Sequence, residues 1–264
     1  MSDNYVKTDE FLSFVNDNEN RTWVFLDTET LGFNGDKHQL TEVAAKAISI
    51  QGKTYRELAT YHEKSRLLSI TRLRLSMPYN GPGLSYRDLM KMTNYGESLK
   101  SRQYIDEVEV IRGLLLFLND YENPIIVAHN APFDINFLNK RGNVYFEEKN
   151  IFNKYEVVDT LRVMKKYFAP LVITEAERFN HRWLPPSERQ YILKMRSVYK
   201  FLKKKKSNRI SLKLGNVAGA FGLAADGWHT AIYDIQMLIS TTEEILKLFN
   251  NSRGKKLYPE KYFK

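Results

Sequence analysis

Asp27 and Glu29 close a short apolar run, Trp23 to Leu26, and stand two residues apart. A run of aromatic and branched residues bounded by a glycine, here Gly32, predicts a buried strand. Side chains two apart on a strand point the same way, so the two carboxylates face one spot. Like charges so close oppose each other's ionisation. A divalent cation removes the conflict, and an all-oxygen ligand set suits Mg²⁺ or Mn²⁺. An isolated Asp-x-Glu at a strand end also occurs as a pair of solvated acids, so the chain must supply further ligands.

It supplies two candidates. Pro124 to Ala128 predicts a second buried strand, followed by His129-Asn-Ala-Pro-Phe-Asp134. Asn130 suits a helix cap and Pro132 a first helical turn, which places Asp134 in the first turn of a helix running to about Lys140. That is just beyond a strand's C-terminal end, where open α/β sheets carry their sites. An acid there also complements the helix dipole. The segment Trp228-His229-Thr-Ala-Ile-Tyr-Asp234 leads into a further helix, to about Phe249. His229 precedes an acid at yet another helix start. Asp159, ending the short strand Val157-Val158, reads as the N-cap of the helix that follows, and Glu42 as a strand-surface acid.

The remaining elements must hold these groups. Thr8 to Val15 predicts a short capped helix, and Leu40–Ile50 with Tyr55–Tyr61 a hairpin beside the first strand. Asp106–Leu118 has helical spacing, and Ser211–Phe221 predicts a helix stopped by Gly222. Residues 64–104 carry loop chemistry around Pro78-Tyr-Asn-Gly-Pro-Gly83, and Tyr79, Tyr86 and Tyr95 there read as packing residues, with base stacking as the alternative. Residues 169–208 form an excursion whose helix begins near Pro185. Its apolar stripe, Tyr191, Met195, Val198, Tyr199 and Leu202, is expected to dock it on the body of the domain.

The chain has no cysteine, which rules out disulfides and thiolate metal sites. It shows no leader-like apolar segment and no run of membrane-spanning length, so a cytoplasmic protein is expected, with no membrane partner. Net charge is +9, unevenly spread. Ser187–Lys206 holds eight Lys/Arg and one Glu, and Asn250–Lys264 five Lys/Arg and one Glu. Together these exceed the whole net charge, so the rest of the chain is slightly acidic. A near-neutral body with two basic appendages fits a polyanionic partner.

The segments Asp27-Thr-Glu29-Thr-Leu-Gly, His129-Asn-Ala-Pro-Phe-Asp134-Ile-Asn-Phe-Leu and His229-Thr-Ala-Ile-Tyr-Asp234 resemble the three exonuclease motifs of the DEDDh (DnaQ-like) superfamily, that of the proofreading epsilon subunit of bacterial DNA polymerase III. They stand in the family's order, and the likeness spans about residues 21–63, 104–167 and 210–249. It implies an α/β, RNase H-like fold: a mixed five-stranded sheet flanked by helices. The chain departs from the family in the length of 64–104 and in a basic helical insertion at 169–208, which the resemblance does not match. One domain over 1–249 with insertions at about 64–104 and 169–208, then a basic tail over 250–264, is the matching organisation. The resemblance also implies 3′→5′ exonuclease activity with two divalent cations, Mg²⁺ or Mn²⁺. Carried over by motif, Asp27, Glu29, Asp134 and Asp234 are the metal ligands and His229 the general base.

The chemistry is consistent, since paired metals can generate hydroxide and stabilise a leaving 3′-oxygen, and histidine titrates near neutrality. Thr28, Thr30, Leu31, Phe33, Asn130 and Phe133 are expected to touch the nucleic acid, Leu31 and Phe33 as wedges against the terminal base. Lys203, Lys204, Lys205 and Lys206 are expected to grip the backbone. The expected substrate is nucleic acid with a free 3′ end, single-stranded DNA ahead of RNA, with a polymerase or other replication or repair protein as partner. An RNA 3′-end trimmer is the alternative within the class. A non-catalytic nucleic-acid-binding module on the same scaffold is the alternative outside it, and the complete site set argues against it.

Overall fold

The computed structural model describes residues 4–8, 11–51, 54–67, 104–177, 184–204, 209–223 and 230–252. The chain forms two compact units, Met1–Asp159 with Gly227–Gln236, and Thr160–Asp226 with Met237–Lys264. Tyr79, Tyr86, Tyr95, Lys205, Lys206, His229 and the 250–264 tail beyond Ser252 lie outside the described residues.

The first unit is built on a mixed five-stranded sheet in the order β3-β2-β1-β4-β5. Its strands are β1 (Thr22–Thr30), β2 (Leu40–Gln51), β3 (Thr54–Lys64), β4 (Ile125–Ala128) and β5 (Glu156–Asp159). β1, β2 and β3 pair antiparallel. β4 lies parallel to β1, and β5 parallel to β4. The helices are α1 (Phe11–Asp17), α2 (Glu107–Asn119) and α3 (Ala131–Tyr145). α3 runs past the predicted end at Lys140, because Gly142 packs its bare backbone against Ile151 and does not stop the helix.

Alternation along β1 sorts its side chains. Val24 and Leu26 enter a core with Val43, Ala45, Ile126 and Val157, roofed by Val110, Leu114, Ile135 and Leu138 from α2 and α3. Trp23 and Phe25 point to the opposite face, where Trp23 meets Phe14 of α1 edge-on. Asp27 and Glu29 share that second face, and Thr28 returns to the side of α3. The core therefore sets which way each polar residue at the strand end points: a slip of one residue would bury the acids under α3.

The β1–β2 loop is pinned by a buried ion pair. Glu107 Oε1 accepts from the Leu40 N–H at 2.8 Å and from Arg141 Nε at 2.8 Å, and its Oε2 accepts from Arg141 Nη2 and the Tyr145 hydroxyl, each at 2.7 Å. Arg141 Nη1 also donates to the Gly35 carbonyl. α2, α3 and the loop thus meet on one satisfied carboxylate, the condition under which a buried charge is tolerated. Inside the loop Gly32 has φ +153° and its α-carbon lies against the His38 ring, so any side chain would collide.

The second unit contains α4 (Thr160–Val163), a π-helical turn Met164–Phe168, α5 (Ala169–Glu177), α6 (Pro186–Leu202) and α7 (Leu214–Ala220). The π turn falls where Pro170 removes an N–H and crowds the carbonyl four residues earlier. α8 (Ala231–Ser252) starts in the first unit and continues into the second. α7 starts three residues after the predicted Ser211 and ends before Gly222, whose φ of +72° suits a helix stop. The stripe of α6 is buried as Ile192, Met195, Val198 and Leu202. It packs on α5 and α7 within this unit, whereas the sequence places it against the body of the domain. Tyr191 and Tyr199 are only half-buried, since helical geometry sets Ile192 on the stripe and turns them to its flanks. No helix among the described residues is long and apolar enough to cross a membrane.

Removing one partner from the pinning pair should be costly. Glu107→Ala leaves Arg141 charged and buried, and should lower the unfolding free energy by about 3–5 kcal/mol. The urea midpoint should drop at an unchanged m-value. A loss below about 1 kcal/mol would mean that solvent compensates the pair and that it does not hold the loop.

Candidate metal centre

Ligand atoms of Asp27, Glu29 and Asp234 lie within 4.8 Å of one another. Asp27 and Glu29 come from one face of β1, and Asp234 from the first turn of α8, which begins within the same compact unit. Asp134, in the first turn of α3, is held beside them by Thr28. The Thr28 N–H donates to Asp134 Oδ1 at 3.1 Å and the Thr28 hydroxyl donates to the same oxygen at 2.7 Å. The pairing of β1 with β4 stops at Phe25 and Val127, so Thr28 lies past the end of that ladder and its N–H is available to a side chain. Four carboxylates therefore converge where two parallel strands end.

Burial and mutual repulsion both act on Asp27 and Glu29, and burial dominates at Asp134. Burial is the main force holding Asp27 protonated well above the carboxylate range, with Asp134, Glu29, Asp234 and Glu42 adding to it. Glu29 is pushed up to about 8, first by burial and then by Asp234, Glu42 and Asp134, with Lys64 pulling the other way. Burial pushes Asp134 to about 7, against the stabilising Thr28 bonds. All-oxygen donors that cannot all ionise together fit a divalent cation, whose charge would allow every one to deprotonate.

A supporting layer surrounds the acids. Glu42 stands opposite Glu29 on β2 and is 2 % exposed, so it is not the surface acid that its strand position suggested. His62 Nε2 lies 2.7 Å and Lys64 Nζ 3.5 Å from its carboxylate, which gives a buried acid the partners it needs. Asp159 does not act simply as a helix cap: its Oδ1 accepts the Asn130 N–H at 3.1 Å. Asn130 in turn sits in the left-handed region, φ 67° and ψ 44°, and makes no side-chain cap bond. A capping side chain needs an extended backbone, whereas Asn tolerates the left-handed one. These roles left little trace in the sequence, because each depends on which strand lies alongside.

The nucleic-acid candidates separate by exposure. Leu31 is 5 % exposed and packs with Leu67 and Tyr104, which withdraws it from the surface. Phe33 is 91 % exposed and meets Phe133 edge-on at 6.3 Å, and Phe133 meets Phe137 at 5.9 Å. They line a cleft of about 510 Å³ with Asn130, Asn136 and Lys140. A larger cleft, about 770 Å³ around Arg21 and Lys154, opens at the strand starts, the far end from the acids. The Thr30 hydroxyl is occupied by the Gly32 carbonyl, so it shapes the loop. Lys203 and Lys204 are exposed at the end of α6, in the second unit. Helical spacing could have indicated Phe137, four residues after Phe133.

No protein-family model matches the chain. It is 25 % identical over 156 residues to a DNA polymerase III subunit epsilon of Buchnera aphidicola, covering 57 % of this chain and 56 % of that protein. A ribonuclease T of Haemophilus influenzae is 25 % identical over 162 residues, covering 58 % of this chain and 65 % of the relative. The chain therefore spans less than two thirds of either. A PolC-type DNA polymerase III of Thermotoga petrophila is 35 % identical over 127 residues, 48 % of this chain and 8 % of that protein. Among solved structures, E. coli exonuclease I in complex with a dA16 oligonucleotide superposes with a TM-score of 0.57 at 14 % identity, over 85 % of this chain and 40 % of that one. In sequence the chain is similar to exonucleases of the DnaQ-like DEDDh superfamily. The fold is RNase H-like, as in exonuclease I, and strand β1 of its mixed sheet carries Asp27 and Glu29.

The shifted carboxylates set a pH dependence for the metal-free protein. The folded chain keeps protons on Glu29 to about pH 8 and on Asp134 to about pH 7 that the unfolded chain releases near their ordinary values of 4.5 and 3.8. The folded state therefore binds more protons, and stability falls as pH rises between these limits. In EDTA the Tm should drop from pH 6 to pH 8, Asp27→Asn should raise it at pH 8, and Mg²⁺ should raise it most at pH 8. A metal-free Tm that is flat or rising over that interval would contradict the geometry of the cluster.

Proposed function

We propose that this chain is a metal-dependent 3′→5′ exonuclease that releases nucleoside 5′-monophosphates from free 3′ ends, single-stranded DNA being the favoured substrate. One observation carries the reading: Asp27, Glu29 and Asp234 present donors within 4.8 Å of one another, and Asp134 is hydrogen-bonded alongside. Two divalent cations bound there, Mg²⁺ or Mn²⁺, would supply activation of water and stabilisation of the leaving 3′-oxygen.

The chain's own residues do the rest. The four acids would hold the cations, and Thr28 fixes the carboxylate of Asp134. His229, carried over from the family motif, takes the proton of the attacking water. Phe33 offers an exposed ring to the terminal base, with Phe133 braced behind it. Arg141 and Glu107 keep the loop bearing Phe33 in place. The oligonucleotide held by the exonuclease I neighbour supports a single-stranded DNA substrate.

Trimming of RNA 3′ ends is the second reading, favoured by the ribonuclease T relatives. The two differ in whether the pocket accepts or requires a 2′-hydroxyl. The relative that is a polymerase subunit supports a replication or repair polymerase as partner.

Single-stranded DNA, RNA and duplex, each labelled at the 3′ or 5′ end, should be compared with Mg²⁺ and with EDTA. Stepwise mononucleotide release from the 3′ end is expected with Mg²⁺ alone, and a 3′-phosphate should block it. Asp27→Ala and Asp134→Ala should abolish turnover with the fold retained. His229→Ala should slow it by roughly two to four orders of magnitude and remove the acidic limb of the pH profile. Hydrolysis in excess EDTA, or internal cuts in circular single strands, would overturn the exonuclease reading.

A further inference from the structure

The insertion helix α6 buries one stripe, and residues on its opposite face are exposed. Leu193 is 55 % exposed and Phe201 59 % exposed on that face, with Ser197 midway between them. Eight residues of helix separate the two apolar side chains by about 12 Å along the axis. The small Ser197 leaves a notch between them. Lys200 adjoins Phe201 and is exposed, as are Lys203 and Lys204 just beyond the helix end. The chain then folds back: Lys203 bridges Ile210, the Lys204 N–H donates to the Arg209 carbonyl, and the Ser211 N–H donates to the Leu202 carbonyl. This closure holds the lysines beside Phe201. The nearby acids Glu243 and Glu244 are already engaged by Lys194 and Lys247.

Single exposed apolar side chains are ordinary on a protein surface, and what sets this face apart is an exposed phenyl ring beside three exposed lysines. Charge complementarity selects a polyanion. A duplex presents phosphates but hides its base faces, so an exposed phenyl ring gains little from it. A single strand offers both, since every base has a π-face for an aromatic ring and a phosphate for each lysine.

We propose that the Leu193–Phe201 face of α6 is a binding surface for single-stranded nucleic acid, with Phe201 stacking a base and Lys200, Lys203 and Lys204 contacting the backbone. It rests on the nuclease reading only for the identity of the strand's owner, since the surface lies wholly in the second unit. It would add affinity for long strands without base specificity.

The test measures binding of dT16 and rU16 in EDTA, where no hydrolysis occurs, together with hydrolysis of a thymidine dinucleotide in Mg²⁺. Phe201→Ala should raise the dissociation constant of the long strands at least about fivefold, with Tm unchanged because the ring is exposed. Phe201→Trp should retain affinity and show fluorescence quenching when the oligonucleotide binds, whereas Phe201→Leu should behave like the alanine variant. Replacing Lys200, Lys203 and Lys204 by Ala should flatten the slope of log affinity against log salt by about 2, at roughly 0.7 per contact. Dinucleotide hydrolysis should stay within about twofold in all these variants, since so short a substrate occupies few subsites. Unchanged affinity and slope would overturn the proposal, as would quenching of the Phe201→Trp variant by polyglutamate and not by oligonucleotides, which would assign the face to an acidic protein. A wild-type chain that binds strands through α6 yet hydrolyses nothing would sink the nuclease reading and uphold this one.

Discussion

Four carboxylates that repel one another at the end of two parallel strands impose the main constraint on this molecule. Left to itself the cluster opposes folding, because burial and mutual repulsion raise the proton affinity of Asp27, Glu29 and Asp134 together. The surrounding structure is arranged to hold it nonetheless. Thr28 commits both its backbone and its side chain to Asp134. Glu42, itself a further acid on the same face, is matched by His62 and Lys64. Destabilisation of this kind would favour a cation at the site: the stronger the repulsion in the free protein, the larger the gain when it is neutralised.

The same end of the sheet also organises the aromatic cleft. Asp134 and Arg141 lie on one helix, seven residues apart and therefore on one face. Asp134 answers to β1, and Arg141 answers to the loop that β1 runs into. One rigid element thus sets the spacing between the acids and the exposed ring of Phe33. A site assembled on strands and a helix, with its loop anchored by a buried ion pair, is less free to drift than one carried by loops alone.

The second unit follows a different logic. Its helices bury one another's stripes, and the basic character of the insertion is concentrated on and just beyond α6. Charge in that arrangement does little for folding, since exposed lysines contribute little to stability. Its effect is on long-range attraction and on the affinity of polyanions.

Much of this was legible in the sequence, for identifiable reasons. The strand–acid–helix segments announce themselves because Trp23–Asp27 and Ile125–Asp134 combine apolar runs, a Pro at a first helical turn and acids at strand ends, all local signals with fixed periods. The three-motif resemblance then joined segments that no local rule connects. What the sequence alone could not assign was anything set by a neighbouring strand or loop. Glu42 looks like any strand acid until β2 is in register with Glu29, and Asp159 looks like a cap until β5 lies beside β4 and offers it the Asn130 N–H. Leu31 and Phe33 are two residues apart in one loop, yet Leu31 is drawn into a cluster with Leu67 and Tyr104 and Phe33 is left in solvent. Residue type and local spacing thus determined the chemistry available, and tertiary pairing decided which of those groups meet, because hydrogen bonds and charge repulsion act across distances in space that the order of residues does not encode.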